Sequence, residues 1–170
     1  GRSSYVTVFQ APTVVYKAWQ RGIYPELAPV DAAELLNGML VRLGTYGDPA
    51  AVPFEVWADM LAMTKARTGY THQWRTCDQR FATLAMASCD TVTDHADAKA
   101  RGWRTFRVRT ASETLQAREI VCPASKEAGQ RTTCDACKAC GGTGAKARAD
   151  ISIVVHGAAS KLNAFTARVS

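Results

Sequence analysis

The sequence lacks any long hydrophobic run, which argues against a membrane-spanning helix. No apolar stretch approaches the roughly 20 residues needed to cross a bilayer, and no signal-peptide pattern opens the chain. The cysteines also lack the spread of a secreted disulfide framework, because four of the six fall within residues 122–140. Clustered cysteines are more typical of a metal site in a reducing compartment. We therefore expect a cytoplasmic protein without membrane contact.

Familiar catalytic fingerprints are missing as well. The sequence contains no P-loop, no HExxH motif, no GxSxG elbow and no dinucleotide-binding glycine motif. It also has no HxH pair, which argues against the metal-dependent rolling-circle nickases. These absences leave open whether the protein is an enzyme.

What the chain does have is a mild excess of positive charge. The net charge is +6 over 170 residues, and the basic residues concentrate in the second half, within 101–109, 118–131 and 138–148. This excess permits a polyanionic partner without requiring one. A surface that simply keeps the protein soluble explains it equally well.

From residue 39 onwards, short apolar runs alternate with amphipathic segments. The predicted strands cover residues 39–44, 68–74, 83–89, 103–109, 118–122 and 150–157. The predicted helices cover residues 11–22, 29–38, 53–67 and 90–102. The alternation predicts one α/β domain over residues 1–170, with a mostly parallel sheet (open, or a partial barrel) and flanking helices. Asp31 is expected to cap the second helix, residues 1–9 to begin a strand, and the residues after 157 are left unassigned.

The stretch TTCDACKACGG spaces Cys134, Cys137 and Cys140 three residues apart, and Cys122 lies upstream. Four thiolates can close a tetrahedral zinc site. They can also hold an iron-sulfur cluster of the 4Fe-4S type, in which CxxCxxC is a common feature. We therefore predict a metal-binding loop over residues 122–148, inserted before the last strand, and leave zinc and iron-sulfur open.

The other cysteines and the nearby glycines have separate interpretations. Cys77 and Cys89 stand alone in the sequence, and we expect them to be small buried hydrophobic residues. Gly141, Gly142 and Gly144 follow the cysteine run. We expect them to let backbone N–H groups approach the sulfur atoms.

Polar residues follow several of the predicted strands, at the edge where parallel α/β sheets bind ligands. Asp48 lies in the turn Gly47-Asp48-Pro49, His72 comes near the end of the second strand, and Arg107 lies in the fourth. We predict Asp48 and His72 as catalytic residues, and Gly47, Asp48 and Arg107 as cofactor-binding residues. If the protein is an enzyme, these side chains should converge on one cleft. A plain turn is the alternative for Asp48, and a structural histidine is the alternative for His72.

Four co-linear segments resemble an uncharacterised family of bacteriophage and mobile-element proteins with a C-terminal four-cysteine motif. They are VRLGTYGDPAAVP, TGYTHQW, GWRTFRVR and CPASKEAGQRTTCDACKAC. The resemblance implies a protein of the bacterial host cytoplasm, and members of this family are sometimes labelled replication initiators. It also implies an upstream segment with further cysteines. Because the corresponding place reads GRSSYV here, we expect either a missing upstream part or its loss in this member.

A weaker resemblance links VRLGTYGDPAAVPFEVW to the second strand, ligand-binding loop and helix of radical S-adenosylmethionine enzymes. It implies that Gly47, Asp48 and Pro49 would meet the methionine amine of that cofactor, and that the cysteine loop would hold an auxiliary cluster. The three-cysteine motif that binds the catalytic cluster is absent from residues 1–170. We therefore do not expect this chain to perform radical chemistry on its own.

The residues support two functional hypotheses. In the first, the protein is a metalloprotein that holds an iron-sulfur cluster or zinc and acts on a nucleotide or nucleic acid. In the second, it is a non-catalytic, zinc-stapled module that binds nucleic acid or assists replication. The second hypothesis predicts a continuous basic face around the cysteine loop, including Lys138, Lys146 and Arg148.

Overall fold

The computed structural model describes residues 11–157 and 159–169. This described part contains seven β-strands: Leu40–Arg42 (β1), Ala66–Thr68 (β2), Tyr70–Thr71 (β3), Met86–Cys89 (β4), Thr105–Arg109 (β5), Glu119–Val121 (β6) and Asp150–Val154 (β7). It also contains six α-helices: Ala11–Gln20 (α1), Pro29–Leu35 (α2), Phe54–Met60 (α3), Val92–Ala100 (α4), Cys134–Cys137 (α5) and Ala159–Val169 (α6). Within these ranges no helix combines the length and the apolar character needed to cross a bilayer. The strand expected over residues 1–9 lies outside the described residues.

Five strands form one parallel sheet in the order β3-β4-β5-β7-β6, and β1 and β2 form a separate parallel pair. The predicted α/β class, with mostly parallel strands and flanking helices, is therefore confirmed. The last strand, β7, lies between β5 and β6. The chain must therefore cross from the edge strand β6 back into the sheet, and the cysteine-rich segment makes this crossing.

Gly69 separates β2 from β3 and redirects the chain from one sheet to the other. Before it, the Thr68 carbonyl accepts the Leu43 N–H at 2.8 Å. After it, the Gly69 carbonyl accepts the Met86 N–H at 2.9 Å, while the Gly69 N–H donates to the Cys140 carbonyl at 3.0 Å. A Cβ at position 69 would lie 2.9 Å from the Leu43 Cβ. The close passage of β1 over this junction therefore favours glycine.

Side chains alternate between the two faces of the five-stranded sheet. Ala87 and Cys89 point to the side covered by α4, here called the helix face, where they join a buried apolar cluster. The other members of this cluster are Leu43, Leu61, Trp74, Phe81, Leu84, Ala98 and Trp103. Met86 points to the opposite side, here called the cysteine face, where it packs with Cys140 and Ile151. The sheet is thus buried between helices on one side and the cysteine segment on the other.

The helix predicted over residues 53–67 is shorter in the structure and gives way to a strand. It ends because the Leu61 carbonyl accepts both the Thr64 side chain, at 2.8 Å, and the Thr64 N–H, at 3.2 Å. The Lys65 N–H then donates to the Met39 carbonyl at 3.0 Å, which starts the pairing of β2 with β1. Tertiary pairing thus overrides the helical periodicity of the residues after Met60.

Two other helix expectations also change. The cap of α2 is Ala28 and not Asp31, because Pro29 occupies the first helical position, which suits its fixed φ. Asp31 lies instead in the first turn, where a carboxylate favours the positive end of the helix. Of the residues left unassigned after position 157, Ala159–Val169 form α6, and Phe165 on this helix is buried.

Candidate metal centre

The sheet positions Cys122, the first of the four clustered cysteines. Cys122 follows β6 directly, and its N–H donates to the Ser152 carbonyl at 2.8 Å, which extends the pairing of β6 with β7. Its own carbonyl accepts the N–H and the hydroxyl of Ser125, at 2.9 and 2.7 Å. These bonds turn the chain away from the strand while holding Cys122 at the carboxyl end of β6.

A single helical turn positions the next two cysteines. Cys134 and Cys137 are the first and last residues of α5, and the Cys137 N–H donates to the Thr133 carbonyl at 2.9 Å. Lys138 ends the turn in a left-handed conformation, with φ of 55°. Cys140 follows in the segment that lies against the sheet. Residues three apart face the same side of a helical turn, so this geometry presents Cys134 and Cys137 together.

The four cysteines reach the cysteine face at different depths. Cys140 is buried against Met86 and Ile151, Cys122 and Cys137 are partly buried around the same cluster, and Cys134 is exposed. Below them the Tyr70 and Phe106 rings contact each other, with centroids 4.4 Å apart. The site therefore has an apolar, aromatic floor and an open side at Cys134.

The thiols are close enough to influence one another's ionisation. Burial raises the pKa of Cys140 to about 11; a hydrogen bond with Tyr70 opposes the rise, and negative charge on Cys122 or Cys137 adds to it. Burial also raises the pKa of Cys122, and charges on Cys134 and Cys137 contribute. Negative charge on neighbouring cysteines thus disfavours the thiolate forms of Cys122 and Cys140. A cation held between them would remove this repulsion.

The donor set fits a thiophilic metal group, although the side chains are not closed around one. All six cysteines, each within the described residues, are free thiols. Among residues 11–157 and 159–169, no three His, Cys, Asp or Glu side chains are grouped closely enough to hold a metal ion. Four thiolates are the usual ligands of structural zinc and of iron-sulfur clusters. The loop carrying Cys134, Cys137 and Cys140 would have to close towards Cys122, and the metal loop stays a prediction.

The glycines after the cysteine run let this segment pack tightly. A Cβ at Gly141 would lie 2.7 Å from the Arg67 carbonyl oxygen. A Cβ at Gly142, where φ is 64°, would lie 2.4 Å from the Ala82 carbonyl oxygen. The structure therefore gives these glycines a packing function against β2 and the segment before β4, which the sequence interpretation did not anticipate.

Arg104 also holds the cysteine segment in place, through hydrogen bonds to three backbone carbonyls. One guanidinium nitrogen, Nη1, donates to the carbonyls of Ala139 and Gly142, at 2.8 and 2.9 Å, and the other, Nη2, donates to the Ala149 carbonyl. The side chain is buried. No sequence motif marks Arg104. The available signal was an arginine next to Trp103 at the start of a buried strand.

Asp48 anchors its loop to the end of β3. Its carboxylate accepts the Ala50 N–H at 3.1 Å, the Thr71 hydroxyl at 2.6 Å and the His72 N–H at 2.8 Å. Gly47 lies in the preceding turn, with its N–H 3.4 Å from the Gly44 carbonyl oxygen. These bonds are what a structural turn requires. The catalytic and ligand-binding functions predicted for Asp48 and Gly47 stay predictions.

His72 meets Asp48 through its backbone and Ser88 through its side chain. The imidazole Nε2 lies 3.0 Å from the Ser88 hydroxyl, and His72 is exposed. A hydroxyl beside an imidazole is the arrangement in which a base can take a proton from a nucleophile. The hydrogen bond between Ser88 and His72 joins residues of two strands, so it could not be inferred from the sequence.

Arg107 does not join this group. Its side chain is fully buried, bonded to both oxygens of Glu119 at 2.9 and 2.8 Å and to Glu113 at 3.0 Å. In the strand register Arg107 is paired with Cys89 on the helix face, whereas Ser88 is paired with Phe106 on the cysteine face. The predicted site residues therefore do not converge on one cleft. The protein's own carboxylates already occupy the guanidinium, so the geometry does not support the cofactor function predicted for Arg107.

A cavity of about 230 Å³ opens beside the exposed end of the cysteine site. Its lining residues are Leu40, Val41, Arg42, Ala66, Arg67, Thr68, Cys134, Asp135 and Lys138. Apolar side chains, three cations and the carboxylate of Asp135 thus meet at one opening. Arg42 also lies over the Tyr70 ring, 5.8 Å from its centroid, which connects this cavity to the floor of the site.

No protein-family model, no curated protein and no solved structure matches this chain.

Proposed function

We propose that the protein is a metalloprotein in which Cys122, Cys134, Cys137 and Cys140 jointly bind an iron-sulfur cluster or a zinc ion. One observation carries the proposal: two separate chain segments bring four free thiols to one face of the sheet. The CxxCxxC spacing favours a 4Fe-4S cluster. Zinc is the second candidate, because four thiolates complete its tetrahedral shell.

The surrounding residues would prepare the thiols for either group. A cluster would supply electron-transfer capacity, and zinc would supply a crosslink between β6 and the cysteine loop. Tyr70 is hydrogen-bonded with Cys140, and a hydroxyl that donates to sulfur stabilises the thiolate form and tunes a bound metal. The contact with Phe106 fixes the Tyr70 ring. Binding would release the thiol protons, so it should strengthen as pH rises.

The test is elemental analysis with an absorption spectrum after purification without oxygen. Iron and sulfide with a broad visible band would identify a cluster, and one zinc per chain without colour would identify the second candidate. Replacing Cys122 and Cys140 with serine should abolish the bound group. Cys77→Ser is the matched control, because Cys77 packs with the helix-face cluster. A protein that takes up no metal at all would refute the proposal.

We also propose a nucleotide or nucleic acid as the partner of this centre. The cavity beside Cys134 supports this, because it offers apolar walls for a base and Arg42, Arg67 and Lys138 for phosphate. Lys138→Gln should weaken nucleotide or single-strand binding, and Lys65→Gln, an exposed lysine that does not line the cavity, should not. Equal effects of the two substitutions would contradict a defined site.

Removing the metal separates the two hypotheses on what the centre does. If zinc only crosslinks the loop, chelation should lower the unfolding temperature. The protein that stays folded should then bind nucleotide or nucleic acid with unchanged affinity. If the centre takes part in a reaction, chelation should abolish that activity before the protein unfolds.

Residues 41–53, 68–74, 102–109 and 122–140 resemble the bacteriophage and mobile-element family. This resemblance further leads us to propose a phage or mobile-element protein of the bacterial cytoplasm.

A further inference from the structure

A second cavity, of about 210 Å³, lies at the amino-terminal edge of the sheet, away from the predicted ligand edge. It is formed by the end of α4 and by the residues that lead into β5, β6 and β7. Its lining residues are Lys99, Gly102, Trp103, Arg104, Arg118, Thr143 and Arg148. Neither the metal centre nor the Asp48 loop uses this cavity.

The lining is strongly cationic. It includes Lys99, Arg104, Arg118 and Arg148, and no Asp or Glu is among the described residues that line it. Lys99 is balanced by the buried Asp150, with Nζ 2.8 Å from Oδ2. The charges of the three arginines are not matched by ion pairs within the described ranges. Charges of one sign gathered around a cavity favour an anion inside it.

Several donors of these arginines have no protein acceptor. Arg104 is buried, and its Nε has no hydrogen-bond partner among residues 11–157 and 159–169. Arg148 uses only one nitrogen, Nη1, which lies 3.3 Å from each of the carbonyl oxygens of Thr143 and Ala145. Arg118 is exposed and makes no side-chain hydrogen bond or ion pair in the described part of the chain. Each of these guanidinium groups thus keeps donors for a ligand.

The backbone also holds Arg118 at the rim in a strained conformation. Its φ is 67°, in the left-handed region that residues other than glycine and asparagine seldom adopt. Hydrogen bonds on both sides of it support this conformation: the Glu119 N–H donates to the Gln116 carbonyl, and the Asp150 N–H donates to the Arg118 carbonyl, both at 3.0 Å. The Arg118 side chain therefore leaves the chain at a defined point beside Arg148.

We propose that this cavity binds the phosphate group of a nucleotide or of a nucleic acid backbone. Planar guanidinium groups match phosphate oxygens in geometry and charge. A liquid water molecule occupies about 30 Å³, so the cavity has room for a phosphate and some of its hydration. The buried Arg104 also holds the Ala139 and Gly142 carbonyls on either side of Cys140. A bound phosphate would therefore contact the same arginine that is hydrogen-bonded to the cysteine loop.

The test uses three probes on the whole chain: a fluorescent 20-nucleotide single strand, and unlabelled nucleoside triphosphate and inorganic phosphate as competitors. The test variant is Arg118→Asn with Arg148→Gln, because asparagine tolerates the left-handed conformation. The control, Lys126→Gln with Arg131→Gln, removes two exposed charges that do not line the cavity. Circular dichroism confirms folding, and Arg148→Gln alone serves if the double variant fails.

The double variant should bind the strand at least about ten-fold more weakly, and the control should change by less than about two-fold. The salt dependence should flatten by about 0.7 in log–log slope for each phosphate of the single strand that the variant no longer neutralises. Competition by phosphate or nucleotide would identify a free ligand, and strand binding alone would identify the nucleic acid backbone. Equal losses of affinity in both variants, or no binding of any probe, would overturn the proposal. Metal content should stay unchanged, so this result is independent of the metal centre.

Discussion

The two faces of the five-stranded sheet differ in how their polar side chains are paired. On the helix face, Arg107 is enclosed by Glu119 and Glu113, and Lys99 pairs with Asp150. On the cysteine face, four thiols lie near one another, and the nearby Arg104 guanidinium donates its hydrogen bonds to backbone carbonyls on either side of Cys140. On the helix face, buried charges are paired with oppositely charged side chains; on the cysteine face, the described thiols form no such pairs.

This difference separates structural polar residues from functional ones. A buried charge that protein groups satisfy completely is costly to disturb but has nothing left for a ligand. Donor groups that repel one another and have no internal partner are what a metal or an anion would complete. By this criterion we propose the four cysteines and the arginines of the second cavity as functional residues, whereas Arg107 belongs to the scaffold.

The largest expected effect comes from breaking the scaffold on the helix face. Arg107→Met would leave Glu119 buried without its partner, since both side chains are fully buried. We expect the free energy of unfolding to fall by about 3–5 kcal/mol, measured by urea denaturation. Arg80→Gln, which removes an exposed arginine paired with Asp78, should have a far smaller effect. Similar destabilisation of both variants would show that the buried ion pair contributes no more to stability than the exposed one.

The next effect tests how the cysteine segment is seated on the other face. Gly142→Ala would place a Cβ against the Ala82 carbonyl and add the cost of a left-handed conformation, and we expect the free energy of unfolding to fall by about 2–4 kcal/mol. Gly102→Ala is the control, because Gly102 also has positive φ but nothing lies within 4 Å of its would-be Cβ. The control should cost only about 1–2 kcal/mol. If both substitutions lower the free energy of unfolding equally, close packing at Gly142 does not help to hold the cysteine segment against the rest of the protein.

Much of the fold could be predicted from the sequence because its signals are local. The apolar run ending at Cys89 and the alternation ending at Arg109 correspond to β4 and β5, and Thr91 caps α4 by accepting the Asp94 N–H at 3.0 Å. The position of β7 between β5 and β6 could not be predicted, because strand order depends on residues far apart in the chain. The break at Gly69 was missed for the same reason.

The site was predictable to a lesser degree. The spacing of Cys134, Cys137 and Cys140 is a local property, so their grouping could be inferred. Arg107 is predicted to bind a cofactor because it lies on a strand near the expected ligand edge. Its pairing with Glu119 on the neighbouring part of the sheet depends on the tertiary fold and could not be predicted in the same way. The hydrogen bond between Ser88 and His72 joins two strands and had no sequence signal.

A smaller effect comes from acid on the helix face. Burial lowers the pKa of His95 below its usual 6.5, although Glu119 opposes the shift. The unfolded chain therefore takes up a proton that the folded chain resists, so stability should be constant above pH 6.5 and decline as pH falls below it. Burial raises the pKa of Glu119, but Arg107, the Gln116 N–H and His95 together outweigh burial, so the pKa lies below its usual 4.5. A second decline should therefore follow below pH 4.5.

Urea denaturation between pH 8 and pH 4 measures these two steps. His95→Gln should remove the first decline and leave the second. The Thr105 hydroxyl, 2.8 Å from the His95 Nδ1, can still bond to the glutamine amide, so the variant should fold. A decline near pH 6.5 that persists in the variant would assign the titration to another group.

The smallest expected effect on stability separates the cysteines of the two faces. Without metal, Cys134→Ser should change the free energy of unfolding by less than about 0.5 kcal/mol, because Cys134 is exposed. Cys89→Ser should cost about 1–3 kcal/mol, because it buries a hydroxyl in the helix-face cluster. With metal supplied, the order should reverse: Cys134→Ser should lose the bound group and the stability it adds, while Cys89→Ser should keep its metal. If metal left the order unchanged, Cys134 would not be a ligand, and the cysteine face would have to be explained by packing alone.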